Sequence, residues 1–372
     1  MVDIAVTSIA KNEEQFVNRW VKSAIDADLI ILVDTGSTDN TIEEFHKACQ
    51  KFSATGVSHS ITVNPWRFDH ARNAGLALVP KHIDWVVDLD LDEVLVAGWR
   101  DKLETSIKEQ PDATRFRYPY VWSWNNDGTP SVKYNFDKIR TRDNYFWKHP
   151  VHESLYYFSD DDSIEQFGET TLEIHHHPDV NKSRSQYLKL LKIAVTEQPD
   201  DDRMAHYYAR ELYFHNQYVE ALKQFDRHIE LGGWQPERAM SMAYKARIYH
   251  AWNYPEEAMR HARLAVAENP DARETWMCLA EIAHFNQRHM DCFHAVVQAL
   301  MITEHPMAYM SDPRAWGSLL YDIGSVSAYC VGNTHMAIIW GQKALSLDPD
   351  NERIQNNVKK LIGENNDSQG ES

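Results

Sequence analysis

The run Trp85-Val86-Val87-Asp88-Leu89-Asp90-Leu91-Asp92-Glu93 is the densest concentration of chemistry in the sequence, an apolar strand running into alternating carboxylates. Strand alternation sends Asp88, Asp90 and Asp92 to one face, where unpaired buried carboxylates are costly or must protonate. A hard divalent cation such as Mg²⁺ or Mn²⁺ resolves the conflict. Such ions take oxygen ligands and are typically held by one or two carboxylates, with phosphate oxygens completing the shell. An acidic surface loop is the alternative. A second cluster, Trp147-Lys148-His149-Pro150-Val151-His152-Glu153, sets a carboxylate beside an imidazole. A positioned carboxylate can act as a general base toward a hydroxyl, and a Glu–His pair serving structure alone is the competing reading. A third, His175-His176-His177, follows the strand-like run Thr170 to Ile174. Alternation puts His175 and His177 on one face and His176 on the other. A polar linker is the alternative there.

Three further motifs complete the series. They are Val6 to Glu14 with Lys11-Asn12-Glu13-Glu14, then Val33-Asp34-Thr35-Gly36-Ser37-Thr38-Asp39-Asn40-Thr41, then Phe68-Asp69-His70-Ala71-Arg72-Asn73. Together with Asp90-Leu91-Asp92-Glu93 they resemble, in order, the motifs of family 2 glycosyltransferases with the GT-A fold, over about residues 1–180. The resemblance implies an α/β, Rossmann-like domain that binds a nucleotide-diphosphate sugar, UDP-sugar first, and transfers the sugar with inversion. It implies that Asp34 reads the base with Ile9, Ala10 and Lys11 beside it, and that Arg72 lies near the nucleotide or diphosphate. Asp90 and Asp92 become the DxD pair, Asp90 leaning to the ribose and Asp92 binding Mn²⁺ or Mg²⁺. Asp88 is additional, and an Asp88-Asp90 register stays open. Glu153 is the implied base, with His152 orienting it or touching substrate and Asp127 and Asp143 next in line. His175 is the expected late histidine on the metal. Asp39 reads equally as a turn or N-cap residue before a helix. The chemistry is coherent, because breaking a sugar–phosphate bond builds negative charge that a cation and an arginine stabilise.

The elements that must hold these residues are legible as periodicity. Asp3 to Ser8 reads as a strand, Glu13 to Ala27 as a helix with Phe16, Val17, Trp20, Val21 and Ala24 on one stripe, Leu29 to Val33 as a strand, and Thr41 to Phe52 as a helix. That alternation predicts a parallel sheet covered on both faces, with ligands beyond the strands' carboxyl ends. From about residue 185 the pattern changes. Ala258, Ala262, Ala265 and Pro270 place small residues on one helix face that proline closes, and Ala337, Gly341, Ala344 and Pro349 repeat the offsets. Weaker copies run Cys292, Val296, Ala299, then Tyr187, Leu191, Ala194, Pro199, and Ala221 with Phe225. This resembles the tetratricopeptide repeat, with an insertion around His305 to Pro313. The expected domains are therefore 1–180, GT-A, and 185–363, an all-α TPR-like helical repeat domain, with a frayed polar tail at 364–372. The helical domain is expected to hold no metal or nucleophile constellation. Its expected role is to support the acceptor side or a homodimer.

Composition sets the remaining limits. The chain of 372 residues has 38 basic and 55 acidic residues, a formal charge of -17, which opposes a broad phosphate-binding face. Lys133, Lys138, Arg140 and Arg142 form the one local basic cluster, where a phosphorylated or nucleic-acid acceptor such as a modified DNA base could dock. A protein, peptide or glycan acceptor fits the charge better. Trp122 and Trp124 read either as acceptor-facing rings or as core. Four widely spaced cysteines need no disulfide framework, and no apolar stretch approaches a membrane span, so a cytoplasmic protein without membrane contact is expected. The contrasting reading is a catalytically inactive scaffold whose helical repeats carry the function.

Overall fold

A computed structural model describes residues 2–125, 127–159, 163–179, 185–305 and 308–370, without the side chains of 364–370. The chain forms two compact units, one made mainly of residues up to Ala194 and one mainly of residues from Val195 onward. Residues 180–184, where the sequence places the division, lie outside the described ones.

The first unit opens with β1 (Ile4–Ala10), α1 (Glu14–Ser23), β2 (Leu29–Asp34), α2 (Thr41–Phe52), β3 (Gly56–Ser60), α3 (Phe68–Leu78) and β4 (Trp85–Asp88). It continues through β5 (Glu93–Leu95), α4 (Trp99–Glu109), β6 (Arg115–Trp124), β7 (Pro130–Thr141), β8 (Tyr145–Lys148), β9 (Ser154–Tyr157), β10 (Phe167–Glu169) and β11 (Ile174–His176). One sheet runs β3-β2-β1-β4-β7-β6-β11-β5, with β10 alongside β6. Strands β3, β2, β1 and β4 are mutually parallel, and β7 enters antiparallel beside β4. Strands β8 and β9 form a separate antiparallel ribbon.

The apolar strands are buried on both faces, as continuous β-branched runs require. Ile4 and Val6 pack with Phe16, Val17, Trp20 and Val21 of α1 and with Phe45 and Ala48 of α2. Ala5, Ile31 and Val33 face the opposite core with Val79, Ile83 and Val86. Gly56 lets β3 approach α2, since a Cβ there would come within 2.4 Å of Cys49 Sγ. Because the four strands are parallel, the loops after β1, β2 and β4 emerge at one carboxyl edge, and these loops carry the motifs.

The helices continue as α5 (Tyr187–Glu197), α6 (Asp202–Phe214), α7 (Tyr218–Leu231), α8 (Gln235–Ala251), α9 (Pro255–Glu268), α10 (Arg273–Phe285) and α11 (His289–Met301). After a short 3-10 turn at Pro313–Ala315 come α12 (Leu319–Cys330), α13 (Thr334–Leu347) and α14 (Glu352–Gly370). Successive helices pack as pairs, α6 with α7, α8 with α9, α10 with α11 and α12 with α13. The repeating small residues sit at these contacts, with Ala258, Ala262, Ala265, Ala299, Ala337 and Ala344 all fully buried. Helices α9 and α13 end just before Pro270 and Pro349, as a residue that cannot continue a helix dictates. The end expected to fray is helical as far as Gly370, and 371–372 lie outside the described residues. Cys49, Cys278 and Cys292 are buried free thiols, and Cys330 is an exposed one. Among the described residues no helix is long and apolar enough to cross a membrane.

Candidate active site

The loops after β1 and β2 are stitched together by side chains. Asn12, held at a positive φ of 56°, accepts from Thr38 N at 2.7 Å, while its own amide donates to Ser37 Oγ at 2.9 Å. Asp39 accepts from the Glu14 amide at 3.2 Å and from Thr41 N and Oγ1 at 3.0 and 2.6 Å. It is thus the turn residue of its two readings. Asp34 is buried at the end of β2 and accepts from the Gly36 and Ser37 amides at 3.0 and 3.1 Å. That ring of bonds fixes the loop, with Gly36 at φ 101°. Ile9 is half-buried and Ala10 buried at the end of β1, and Lys11 is exposed in the adjoining loop.

The carboxylate run does not continue as a strand. Strand β4 stops at Asp88, and Asp90 to Asp92 form the turn into β5. Asp88 therefore does not share a face with the other two. It is buried, accepting from Thr7 Oγ1 at 2.8 Å and pairing with Arg140 Nε at 3.1 Å. Both Asp88 oxygens are thereby engaged within the sheet.

Asp90 is the centre of an ion network. Arg72 donates to its Oδ1 at 2.8 Å and Lys138 to its Oδ2 at 3.0 Å. Burial acts to raise the Asp90 pKa, but the charges of Arg72 and Lys138 outweigh it and hold the carboxyl far below its usual range. Lys138 also donates to both oxygens of Glu93, at 3.0 and 3.1 Å, and Tyr120 donates to Glu93 Oε1 at 2.7 Å. Burial lifts the Glu93 pKa despite that lysine, helped by the neighbouring Asp90 and Asp92 charges. The second arm of Arg72 reaches Glu153, Nε to Oε1 at 2.5 Å. Burial works to lower the Arg72 pKa, and the two carboxylates reverse this and raise it. One guanidinium thus brings together the DxD loop and the base candidate.

The reach of Arg72 is set locally. Asn73, the next residue on α3, exchanges bonds with the Trp147 backbone at 2.8 and 2.7 Å, and Phe68 N donates to Pro150 O at 3.0 Å. The guanidinium lies 4.8 Å above the Trp147 ring, a cation–π contact. His149 and His152 both adopt positive φ, 79° and 52°, which non-glycine residues take only when the surroundings hold them. His152 lies edge-on to the Tyr187 ring at 5.6 Å, and the partner that holds Glu153 is Arg72. Asp127 and Asp143 are exposed, Asp127 bonding Thr129 and Asp143 pairing with Arg142.

The histidine triplet is turned by one residue from the expected arrangement. His175 Nε2 lies 2.5 Å from Glu173 Oε1, away from the DxD loop. His176 Nε2 instead lies 3.4 Å from Asp92 Oδ2. Periodicity says which histidines share a face, but the pairing of β11 with β5, His176 opposite Glu93, decides which face meets the aspartate. His176 Nδ1 faces the Trp122 carbonyl at 3.0 Å. A carbonyl only accepts, so Nδ1 carries a proton, and when the ring is charged Nε2 carries a second and donates toward Asp92 Oδ2. Burial acts to lower the His176 pKa, and the Asp92 bond and charge overcome it and raise it. Trp122 stacks on His176 at 4.3 Å and Trp124 on His177 at 5.4 Å, so the two tryptophans orient the triplet.

The basic cluster is not a docking face. Lys138 and Arg140 are buried against carboxylates, Lys133 pairs with Glu173 at 2.5 Å, and Arg142 donates to the Val79 and Pro80 carbonyls. Sequence reasoning missed Lys138 and Glu93 as members of the site. The available signal was Lys138 alternating with Phe136 and Arg140 in a strand otherwise pointed at the core.

Residues that could hold a divalent cation are Asp92 and His176. Asp90 has both oxygens engaged by cations, and carboxylates outnumber cations around the loop. A carboxylate with an imidazole suits Mn²⁺ better than Mg²⁺, which prefers oxygen alone.

Residues 6–163 match the family described as glycosyl transferase family 2. No curated protein matches the chain. Solved structures similar to part of it include YrrB, a TPR protein with an unusual peptide-binding site, at 14% identity and a TM-score of 0.36, covering 47% of this chain and 83% of that one. A thermophilic TPR protein of Thermus thermophilus is 14% identical with a TM-score of 0.33, covering 48% and 90%. The pilF protein of Pseudomonas aeruginosa is 12% identical with a TM-score of 0.37, covering 47% and 72%. Residues 6–163 thus form a glycosyl transferase family 2 domain of GT-A-like architecture, followed by an all-α domain of paired helices.

Proposed function

We propose that this glycosyltransferase takes a sugar from a nucleotide-diphosphate donor, UDP-sugar first, and delivers it with inversion to a nucleophile on a protein, peptide or glycan. The single observation that carries the reading is Arg72 bridging Asp90 and Glu153. A guanidinium so placed can neutralise charge developing on a leaving diphosphate. The diphosphate would compete with Glu153 for Arg72, releasing the carboxylate to accept the acceptor's proton. Asp34 would read the base beside Ile9, Ala10 and Lys11, and Asp90 the ribose. A Mn²⁺ or Mg²⁺ ion held by Asp92 and His176 would supply Lewis-acid stabilisation of the diphosphate. The helical domain would present the acceptor or a second copy of the chain, with the boundary near residues 180–185 and the protein working in the cytoplasm. The reading as an inactive scaffold has no such use for a half-buried Arg72–Glu153 pair.

The test is release of nucleotide from a panel of UDP-, GDP- and TDP-sugars, followed by mass spectrometry with and without Mn²⁺. One donor should release nucleotide in a metal-dependent way. Asp92→Asn should lower that release by about 100-fold or more with helix content unchanged. Undiminished release in EDTA would remove the metal from the reading. No release and no nucleotide binding across the panel would favour the scaffold.

A further inference from the structure

Buried polar groups gather at a second place, in the helical unit expected to hold none. Asp202 at the start of α6, His228 near the end of α7 and Glu237 in the first turn of α8 bring one ligand atom each to within 4.8 Å of one another. His228 is fully buried and Glu237 nearly so. The two ring nitrogens of His228 are not equivalent. Nδ1 lies 2.9 Å from Ser241 Oγ, while Nε2 is buried without a hydrogen-bond partner. Ser241 Oγ also lies 2.9 Å from His206 Nδ1. A hydroxyl has one proton, so it can donate to one ring and must accept from the other. With Ser241 donating to His206, it accepts from His228 Nδ1–H and leaves Nε2 of His228 as a lone pair. This is how an imidazole ligand is commonly oriented, its far nitrogen fixed by a neighbour. Asp202 is pressed against backbone, because a Cβ on Gly233, at φ 81°, would fall 1.6 Å from Asp202 Oδ2.

We infer that Asp202, His228 and Glu237 form a binding site for a divalent transition-metal ion, Zn²⁺ by its mixed imidazole and carboxylate donors, which ties three consecutive helices together. One nitrogen and two oxygens match zinc's usual ligand types, and the three come from α6, α7 and α8 in turn. A bound ion takes the lone pair of Nε2 and one oxygen from each of two carboxylates at helix starts. The three residues belong to the second unit, and the proposed sugar transfer uses none of them.

The test uses the full chain carrying Asp92→Asn, so that the strand-end loop does not contribute, stripped with EDTA and returned to metal-free buffer, with Zn²⁺ as the probe. Calorimetry and metal analysis after gel filtration should give one Zn²⁺ per chain, with a thermal midpoint raised by several degrees. Adding Asp202→Asn and Glu237→Gln should abolish both effects. Zinc-edge X-ray absorption on the parent protein reads the site even if those substitutions unfold it, and should show one imidazole with oxygen donors and no sulfur. Failure of the parent to retain Zn²⁺, undiminished binding in the folded triple variant, or a shell with sulfur or several imidazoles overturns the assignment.

Discussion

At the sheet's carboxyl edge the half-buried Arg72 and the buried Lys138 and Arg140 are each matched to a carboxylate, whereas the contact faces of α9 and α13 are rich in alanine and glycine. The edge is specified by charge pairing, where every group relies on a partner. The helices are specified by absence of bulk, where backbones approach because nothing intervenes. Deleting a group should therefore damage the first region most, and adding one should damage the second.

The largest effect is expected from Glu153→Gln, which keeps the shape of the side chain and removes its basicity. Turnover should fall by about 10² to 10⁴-fold. Donor affinity measured by calorimetry should stay within a few-fold, and a variant that turns over normally with its true acceptor would place the base elsewhere. Next in size is Arg140→Met, which leaves Asp88 buried with Thr7 as its remaining side-chain partner. Removing one member of a buried pair costs about 3–5 kcal/mol. A denaturation midpoint close to wild type would show that the pair is dispensable.

Ala262→Leu tests the other side of the comparison. Overpacking a filled contact costs about 1–3 kcal/mol, and nucleotide binding by the first unit should be unchanged. Loss of donor affinity in the folded variant would contradict the division of labour.

The smallest effect is a pH response of the helices. His261 is buried and stacked on Tyr249 at 5.0 Å. Burial, then the charges of Lys245 and Arg260, depress its pKa to about 4. Between about pH 6.5 and pH 4 the unfolded chain binds a proton there that the folded chain does not, so stability falls as the solution is acidified. After allowance for screening the contribution is about 1 kcal/mol. Unfolding midpoints at pH 7 and pH 4.5 should differ less for His261→Gln than for the parent.

The strands and the first two helices were readable because apolar runs and the helical stripe are local signals. Thr41–Phe52 is helical over the span its pattern marks. The loop motifs were readable because each follows a strand end. What escaped depends on partners distant in sequence. Nothing near Asp88 announces Arg140, and Lys138 and Arg140 read as surface charge until β7 is laid beside β4. The choice between His175 and His176 depends on register, which alternation leaves open by one residue. Asp202, His228 and Glu237 lie on three helices and make no motif, so only their packing brings them together.

The ribbon of β8 and β9 carries Glu153 in the loop that joins its strands, outside the main sheet, and Asn73 and Phe68 of α3 bond directly to that segment. The proposed base is therefore mounted outside the main sheet, while the residues proposed to read the nucleotide lie at the ends of the parallel strands. Lengthening or recutting that ribbon would change which acceptors reach the carboxylate without rewriting the donor side. On the proposed function, acceptor choice and donor choice are then served by different segments of the unit, joined through the short stretch of α3 around Arg72 and Asn73.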